Sequence, residues 1–299
     1  MWVSKLMKIL VTGAKGQVGS QLVEKLSSGI NAHVELLAVD RHLLDITDEL
    51  AVNACIERFR PDVVINAAAY TAVDRAEQDE LNAKRVNHLG PLYLAVAANK
   101  IKATMIHVST DYVFSGDAKV PYIESDTVDP QSVYGETKLA GEQAVINANP
   151  QHFVLRTSWV FGETGANFVK TMLRIGRERS DIRVVSDQFG SPTYAGDIAD
   201  TLIAMAKRSM EHECSWGLYH FSGSPYVSWH EFAQYIFDEA YAQRCLNTHI
   251  KVKPITTSEY PTAAKRPLNS RLNCTKIATN LGVYASDWRL AFKGIKAYL

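Results

Sequence analysis

The segment VTGAKGQVG restricts the fold of this chain more than any other stretch, because its three glycines lie between a β-rich run and an amphipathic helix. Glycines in this spacing allow the backbone to turn sharply and to approach a pyrophosphate, whose charge the N-terminus of the helix stabilises. An ordinary glycine-rich turn is the alternative, but the flanking strand and helix favour a dinucleotide site. The cofactor-binding residues predicted here are Gly13, Gly16, Gln17, Val18 and Gly19.

Strand-like and helix-like segments alternate along the first half of the chain. Strands are predicted at residues 8–12, 33–40, 62–69, 104–114 and 152–161. Helices are predicted at residues 16–26, 45–59, 82–99, 134–147, 197–208 and 229–242, the second of them with Asp45 as its N-cap. Because such alternation is typical of a parallel sheet covered on both faces, we expect an α/β fold. The specific prediction is a Rossmann-type doubly wound parallel sheet with a smaller C-terminal substrate-binding lobe.

The alternation loosens after about Trp159, where the loops become rich in Pro, Ser and Thr. We therefore expect residues 1–158 to form a dinucleotide-binding domain, with the chain returning to it around residues 193–222. Residues 159–192 and 223–299 are expected to form mainly the substrate-binding lobe. In sheets of this type ligands bind outside the carboxyl ends of the strands, so the residues that follow each strand are the site candidates.

Charge and cysteine content narrow the possible functions. The 299 residues contain 32 Lys+Arg and 32 Asp+Glu, a balance that argues against nucleic-acid binding. The cysteines, Cys55, Cys214, Cys245 and Cys274, are scattered and lack metal-ligand spacing, which is typical of reduced thiols in a cytoplasmic protein. No run approaches the roughly 18 apolar residues of a membrane span, so no membrane partner is expected.

Asp40 and Arg41 follow the second predicted strand and bear on the choice of cofactor. A carboxylate at this point can bind both ribose hydroxyls of an adenosine, although an Asp that caps a turn is the alternative. Arg41 could instead meet a 2′-phosphate, so NADH and NADPH both remain open. Asp45 and Ile46 come next in the chain and are predicted to border the adenine.

Small residues follow the third predicted strand, in the segment NAAAYTAVD. Ala67, Ala68 and Ala69 would let a cofactor lie against the backbone. Close packing of a helix on the sheet is the alternative explanation for three alanines in a row.

The segments VSTDYVF and SVYGETKLAG carry the residues predicted to be catalytic. Tyr134 and Lys138 are four apart and therefore share one helix face. A phenol has a pKa of about 10, and a neighbouring Lys⁺ lowers it. Thr110 ends a strand and offers a hydroxyl to a substrate carbonyl, although Ser, Thr and Asp also favour turns for local hydrogen bonds. Tyr134 and Lys138 are predicted to contact the cofactor as well.

Eight motifs resemble, in order and spacing, the dTDP-4-dehydrorhamnose reductase family of the extended short-chain dehydrogenase/reductase superfamily. The motifs are GQVG, NAAAYTAVDRAE, STDYVF, VYGETKLAGE, RTSWVFG, NFVKTML, DQFGSPT and RPLNSRLN. The resemblance covers about residues 7–275, nearly the whole chain. The resemblance implies reduction of the C4 ketone of dTDP-4-dehydro-β-L-rhamnose with NADPH or NADH. Its product, dTDP-L-rhamnose, is a precursor of cell-surface polysaccharide.

The resemblance also implies a role for each matched residue. Tyr134 would donate the proton to O4, Lys138 would tune Tyr134 and hold the nicotinamide ribose, and Thr110 would bind the carbonyl oxygen. Trp159 would pack on the deoxysugar, with simple core packing as the alternative, and Arg266 would lie near the diphosphate. The implied substrate-binding residues are Thr110, Asp111, Tyr112, Trp159 and Arg266.

One departure from the family concerns a metal. Some members bind a magnesium ion that bridges a dimer through glutamates, and Gln21 occupies one of those positions here. An amide is a weaker ligand for a hard dication than a carboxylate, so we expect no magnesium and leave a homodimer open. Another nucleotide-sugar reductase or epimerase is the alternative enzyme. A non-catalytic dinucleotide-binding subunit, similar to the regulatory subunit of methionine adenosyltransferase, is the alternative outside catalysis.

Overall fold

The computed structural model describes residues 6–28, 33–211 and 214–299. The strands are β1 (Met7–Thr12), β2 (Val34–Val39), β3 (Val63–Asn66), β4 (Thr104–Thr110), β5 (His152–Thr157), β6 (Val160–Phe161), β7 (Asp181–Val185), β8 (Phe189–Gly190), β9 (Thr193–Tyr194), β10 (Gly217–His220), β11 (Val227–Ser228) and β12 (Lys251–Ile255). The α-helices are α1 (Gln17–Ser27), α2 (Glu49–Phe59), α3 (Val73–Ala76), α4 (Glu80–Lys84), α5 (Gly90–Lys100), α6 (Val133–Ala148), α7 (Phe168–Gly176), α8 (Ala195–Arg208), α9 (Trp229–Ala242) and α10 (Thr275–Leu281). A π-helical turn spans Arg85–Leu89, and 3₁₀ turns span Asp111–Val113, Thr257–Glu259 and Trp288–Tyr298.

Six strands form one sheet in the order β10-β5-β4-β3-β1-β2, and every neighbouring pair in it is parallel. The chain therefore runs outward from β1 to β2 and then crosses to the other side of β1 to form β3. This reversal leaves a crevice beyond the carboxyl ends of β1 and β3, where doubly wound sheets bind their ligands. The predicted fold class is confirmed.

Helices cover both faces of the sheet because each presents an apolar stripe to it. Leu22 of α1 and Leu202 of α8 are fully buried in the cluster on one face, which α10 also joins. Ile56 of α2 and Leu94 of α5 are fully buried in the cluster on the other face. The glycine loop and the carboxyl ends of the strands are thus held between two packed layers.

A further hydrophobic cluster lies apart from the sheet. It joins α7 and α9 to the parallel pair β7–β12 and to the C-terminal 3₁₀ turn, with Phe232, Trp288 and Phe292 as large buried members. The segment around residues 193–222 supplies α8 and β10 to the sheet layers instead. The domain boundaries drawn from the sequence stay a prediction.

Several predicted element boundaries are wrong. Asp48, rather than Asp45, caps α2 with its side chain, which accepts from the N–H of Ala51 at 3.0 Å. Asp45 instead accepts from both the backbone N–H and the hydroxyl of Thr47, so it closes the turn before the helix. The predicted helix over residues 82–99 is interrupted by the π-helical turn.

The last predicted strand of the first half is two strands. Trp159 lies between β5 and β6 and has a positive φ of 47°, which interrupts the extended backbone. Helices α3, α7 and α10 were not predicted. Within the part of the chain that the structure describes, no helix is long and apolar enough to cross a membrane.

Candidate active site

The glycine loop packs so closely on neighbouring backbone that side chains would not fit at Gly13 and Gly19. This close packing is suited to a loop that a dinucleotide approaches. A Cβ on Gly13 would lie 2.6 Å from the backbone N of Ala68, and φ at Gly13 is +72°. A Cβ on Gly19 would lie 2.0 Å from the carbonyl oxygen of Gly13. Gly16 is the N-cap of α1 and has no side chain to occupy the first N–H groups. Those N–H groups are available to an anion at the positive end of the helix.

Asp40 lies directly after β2, and its two oxygens have different partners. Oδ1 accepts from the N–H groups of His42 and Leu43 at 2.9 and 3.2 Å. Oδ2 pairs with the ammonium of Lys15, a residue of the glycine loop that sequence reasoning missed. The Lys15 hydrogen bond holds the pKa of Asp40 below its usual value. Arg41 is exposed, and its Nε lies 3.7 Å from Asp45 Oδ2, so Lys15 rather than Arg41 pairs with Asp40 at the predicted position of an adenosine ribose.

The other predicted cofactor residues divide into two groups. Ala67, Ala68 and Ala69 follow β3 and are partly exposed at the crevice. Ile46 is buried, and its side chain packs on Gly90, where an added Cβ would lie 2.6 Å from the Ile46 Cδ1. The Ile46 side chain therefore belongs to the core, and the prediction that this residue borders the adenine is left to its backbone.

Thr110 and Asp111 lie at the carboxyl end of β4. The Thr110 hydroxyl donates to Asp111 Oδ1 at 2.9 Å and accepts from the N–H of Tyr112 at 3.2 Å. Asp111 is buried, and its Oδ2 has no hydrogen-bond partner among the described residues. Burial raises the pKa of Asp111 to about 7, although the Thr110 hydrogen bond opposes this.

Tyr134 sits in the first turn of α6, which Ser132 caps by accepting from the N–H of Gly135 at 3.2 Å. The Tyr134 ring is 9% exposed and meets the Tyr112 ring edge-on, with the centroids 5.5 Å apart. Burial raises the pKa of the Tyr134 phenol, an effect that the neighbouring Thr110 hydroxyl reduces. The phenol therefore keeps its proton at neutral pH.

Lys138 lies one turn after Tyr134 and is 2% exposed. Its Nζ donates to the carbonyl of Val108 at 2.7 Å and lies 3.4 Å from His107 Nε2. Burial lowers the pKa of Lys138 to about 8, which Glu142 partly offsets. Burial is the largest influence on the pKa of the Tyr134 phenol, and Lys138 Nζ is directed at the carbonyl of Val108 in β4. That Lys138 lowers the pKa of Tyr134 stays a prediction.

Trp159 and Arg266 face the site from the C-terminal part of the chain. Trp159 Nε1 donates to the Ser270 hydroxyl at 3.0 Å, and its ring stacks on Trp229 with centroids 3.5 Å apart. Arg266 donates to Tyr112 Oη at 2.9 Å and to Asp74 Oδ2 at 2.5 Å. Tyr112 thus links Arg266 to the Tyr134 ring, although Tyr112, Tyr134 and Arg266 are far apart in the sequence.

Gln21 is engaged in a hydrogen bond between α1 and the loop that precedes α7. Its Nε2 donates to Glu163 Oε2 at 3.1 Å, while Tyr194 donates to the other Glu163 oxygen at 2.7 Å. The described residues contain no group of three or more His, Cys, Asp or Glu side chains that could hold a metal ion.

Sequence reasoning missed several residues of the site. Lys15, His107 and Trp229 contact predicted site residues, and Asn87 of the π-helical turn donates to Thr137 Oγ1 of α6 at 3.2 Å. Lys15 could have been found, since it lies inside the glycine segment. The other three contact the site through packing between distant segments, which no local pattern indicates.

A glycine cradle, a Tyr–Lys pair and a strand-end hydroxyl around one crevice define a dinucleotide-dependent oxidoreductase of the short-chain dehydrogenase/reductase type. The family model described as RmlD substrate binding domain matches residues 7–298. The dTDP-4-dehydrorhamnose reductase of Aggregatibacter actinomycetemcomitans is 48% identical over 98% of this chain and 99% of its own. The chain belongs to the dTDP-4-dehydrorhamnose reductase family.

Solved structures agree with this assignment. A dTDP-4-dehydrorhamnose reductase from Clostridium acetobutylicum has a TM-score of 0.89 and 39% identity, covering 97% of this chain and 98% of its own. The dTDP-4-dehydrorhamnose reductase of Bacillus anthracis, solved in complex with NADP, has a TM-score of 0.89 and 37% identity, covering 98% of this chain and 99% of its own.

Proposed function

We propose that this protein reduces the C4 ketone of dTDP-4-dehydro-β-L-rhamnose to dTDP-L-rhamnose, with NADPH or NADH as the reductant. Membership of the family supports the reaction. The observation that carries it within the site is Tyr134, a buried phenol that keeps its proton beside the Thr110 hydroxyl at the crevice. A ketone reduction needs such a proton donor at the oxygen that becomes the hydroxyl.

The residues of the site divide the work between binding and proton transfer. The nicotinamide cofactor, when bound, supplies the hydride that adds to C4. The Thr110 hydroxyl turns from Asp111 to donate to the carbonyl oxygen and holds that oxygen against Tyr134, whose O–H bond breaks as its proton moves to it. Lys138 holds the nicotinamide ribose from the same helix face. Ketone, hydride and proton together give the alcohol, so no further reactant is needed.

The sugar and diphosphate are bound by residues from the later part of the chain. A flat indole packed on a sugar face excludes water, and we assign this role to Trp159, which Trp229 supports from its other face. Arg266 turns from Asp74 toward the diphosphate, because a guanidinium forms strong paired hydrogen bonds with phosphate oxygens. Asp111 and Tyr112 complete the wall next to the sugar.

The division into a dinucleotide-binding domain and a substrate-binding lobe, predicted from the sequence, is consistent with these roles and remains part of the proposal. We place the nucleotide sugar between the sheet and the cluster of α7, α9 and the C-terminal turn. A cytoplasmic location fits the four cysteines, all of which are free.

The direct test is an assay that follows NADPH absorbance in the presence of dTDP-4-dehydrorhamnose. We expect oxidation that depends on both substrates and rhamnose as the sugar of the product. Tyr134→Phe should lose about 10²- to 10⁴-fold in turnover, because it lacks only the proton donor. Its dissociation constant for NADPH should stay near that of the wild type.

Two outcomes would contradict the proposal. An absence of oxidation at any ratio of cofactor to substrate would exclude this substrate, and wild-type turnover by Tyr134→Phe would exclude Tyr134 as the acid. An epimerase must retain and reuse its dinucleotide, so purified protein that carries tightly bound NAD and interconverts nucleotide sugars without net oxidation would favour that alternative.

A further inference from the structure

A buried polar chain lies behind Lys138 and has no assigned part in the reaction. Asn66 Oδ1 accepts from the Thr12 hydroxyl at 2.7 Å and from the backbone N–H of Ala68 at 3.1 Å. Asn66 Nδ2 lies 3.1 Å from His107 Nδ1, and His107 Nε2 lies 3.4 Å from Lys138 Nζ. Thr12, Asn66 and His107 are at most 1% exposed, so their hydrogen-bond polarity is set by protein groups.

The direction of each hydrogen bond follows from the backbone. The N–H of Ala68 can only donate, so the oxygen of Asn66 and not its amide nitrogen must face Ala68. The amide nitrogen of Asn66 therefore faces His107, and it too can only donate. His107 Nδ1 must accept this bond, which places the proton of the neutral imidazole on Nε2. Burial lowers the pKa of His107 well below its usual value, so the ring stays neutral.

The Nε2–H of His107 consequently points at Lys138 Nζ. An ammonium has only donors, so it would place N–H against N–H, whereas a neutral amine presents a lone pair to the imidazole. The carbonyl of Val108 accepts from Lys138 in either state and does not discriminate between them. His107 in this tautomer therefore favours the amine form of Lys138.

The charged groups around Lys138 do not cancel the preference for the amine form that His107 creates. Glu142 lies one turn further along α6 and favours the ammonium. Both Glu142 oxygens are bound by Arg156 of β5, at 2.9 and 2.7 Å, which reduces that influence. Asn87, which the π-helical turn packs against α6, carries no charge. Asp111 on the adjoining 3₁₀ turn acts on Tyr134.

We propose that His107 is a positioning residue that keeps Lys138 ready to release a proton, through an Nε2–H tautomer imposed by Asn66. This inference rests on the proposed reductase function, in which Tyr134 gives its proton to the substrate and must recover one. A Lys138 that faces an N–H releases its proton to the phenolate more readily than one that faces a lone pair, and the amine that remains takes up a proton from water before the next turnover. His107 itself contacts neither substrate nor cofactor in this scheme.

The test reads the tautomer and the lysine directly by NMR of the full chain, with labelled histidine and lysine and Lys138→Arg to assign the Lys138 signal. The wild type should show His107 protonated on Nε2. Asn66→Asp replaces the amide by a carboxylate, which keeps the acceptor for Ala68 but accepts from His107 Nδ1–H. The tautomer should reverse, and the titration midpoint of Lys138 should rise by about one pH unit or more.

The control distinguishes two ways in which Asn66→Asp could raise the pKa of Lys138. One acts through the His107 tautomer, and the other is the direct effect of the new carboxylate charge. In a His107→Phe background, Asn66→Asp should move the Lys138 midpoint much less. An equal rise in both backgrounds, or a wild-type His107 protonated on Nδ1, would overturn the proposal. The wild-type tautomer decides the matter even where a variant fails to fold. These measurements need no nucleotide sugar, so a failure of the proposed reaction would be visible separately, in the NADPH assay.

Discussion

Arg266 Nη2 donates to Asp74 Oδ2 across 2.5 Å, although the two residues are 192 positions apart in the chain. The pair joins the loop before α10 to the start of α3, beyond the carboxyl end of β3. Arg266 also donates to Tyr112, whose ring contacts Tyr134. The C-terminal loop is therefore connected to the proton donor through two side chains.

The contacts of Arg266 predict that its removal weakens substrate binding strongly but reduces stability only slightly. Arg266→Ala should raise the KM for the nucleotide sugar roughly 10- to 100-fold, because a hydrogen bond to a charged group contributes about 1.5–3 kcal/mol. The Arg266–Asp74 pair is partly exposed, so the free energy of unfolding should fall by only about 1 kcal/mol or less. Lys265→Ala is the matched control, since this neighbour is exposed and donates to Gln131. Equal effects of the two variants on KM would exclude a phosphate contact by Arg266.

The Lys15–Asp40 pair predicts a selective effect on cofactor affinity. Lys15→Ala would leave the Asp40 carboxylate facing a 2′-phosphate without its nearest cation. The dissociation constant for NADPH should rise about tenfold or more, from loss of a charge-assisted hydrogen bond. The constant for NADH, which has no phosphate there, should change much less. Fluorescence titration of both cofactors measures this, and a similar change for both would show that Lys15 does not contact the phosphate.

Helix α1 lies so close to the turn before it that adding one methyl group at Gly19 should strongly reduce cofactor binding and stability. In Gly19→Ala, the new Cβ would lie 2.0 Å from the Gly13 carbonyl oxygen, so the loop must shift. We expect loss of NADPH binding and a loss of about 1–3 kcal/mol or more in stability. Gly294→Ala is the control, because no atom lies within 4 Å of its added Cβ and its φ of −114° suits any residue. Thermal melting with and without NADPH would distinguish the two variants.

Asp111 predicts a dependence of stability on pH. Its pKa is raised from 3.8 to about 7 in the folded protein, so the folded state holds a proton that the unfolded state releases between these values. The contribution of Asp111 to stability is therefore fully present below its unfolded pKa and is lost as pH rises through about 7. Asp111→Asn cannot ionise, so relative to the wild type it should gain about 3 kcal/mol between pH 5 and pH 8.

Urea unfolding of both proteins at the two pH values measures this difference. Asp117→Asn, which removes an exposed carboxylate in the following loop, is the matched control for the loss of one negative charge. A constant difference between wild type and Asp111→Asn would mean that Asp111 ionises normally in the folded protein.

The sequence by itself determined the features that depend on short spacings. Alternating strands and helices are enough to predict a doubly wound sheet, because apolar periodicity is local and a parallel sheet needs covered crossovers. The glycine spacing predicted the cofactor loop. The four-residue interval between Tyr134 and Lys138 placed both on one helix face, since helix geometry fixes that relationship without help from the rest of the chain.

Local signals failed where two residues were equally suited to a role. Asp45 and Asp48 are both good N-caps, and the sequence cannot distinguish them because the choice depends on which residue leaves the helical backbone conformation. Asp48 does so, with φ −99° and ψ 102°.

Only the tertiary structure decided the contacts between distant segments. The Trp159–Ser270 hydrogen bond joins residues 111 positions apart, and the orientation of His107 depends on strands β1, β3 and β4 lying side by side. The direction in which Lys138 points was decided in the same way, because the backbone carbonyl of β4 that it reaches is placed by the sheet. Spacing therefore predicted candidates such as the glycine loop and the Tyr134–Lys138 pair, whereas packing between layers set the partners and the protonation of each.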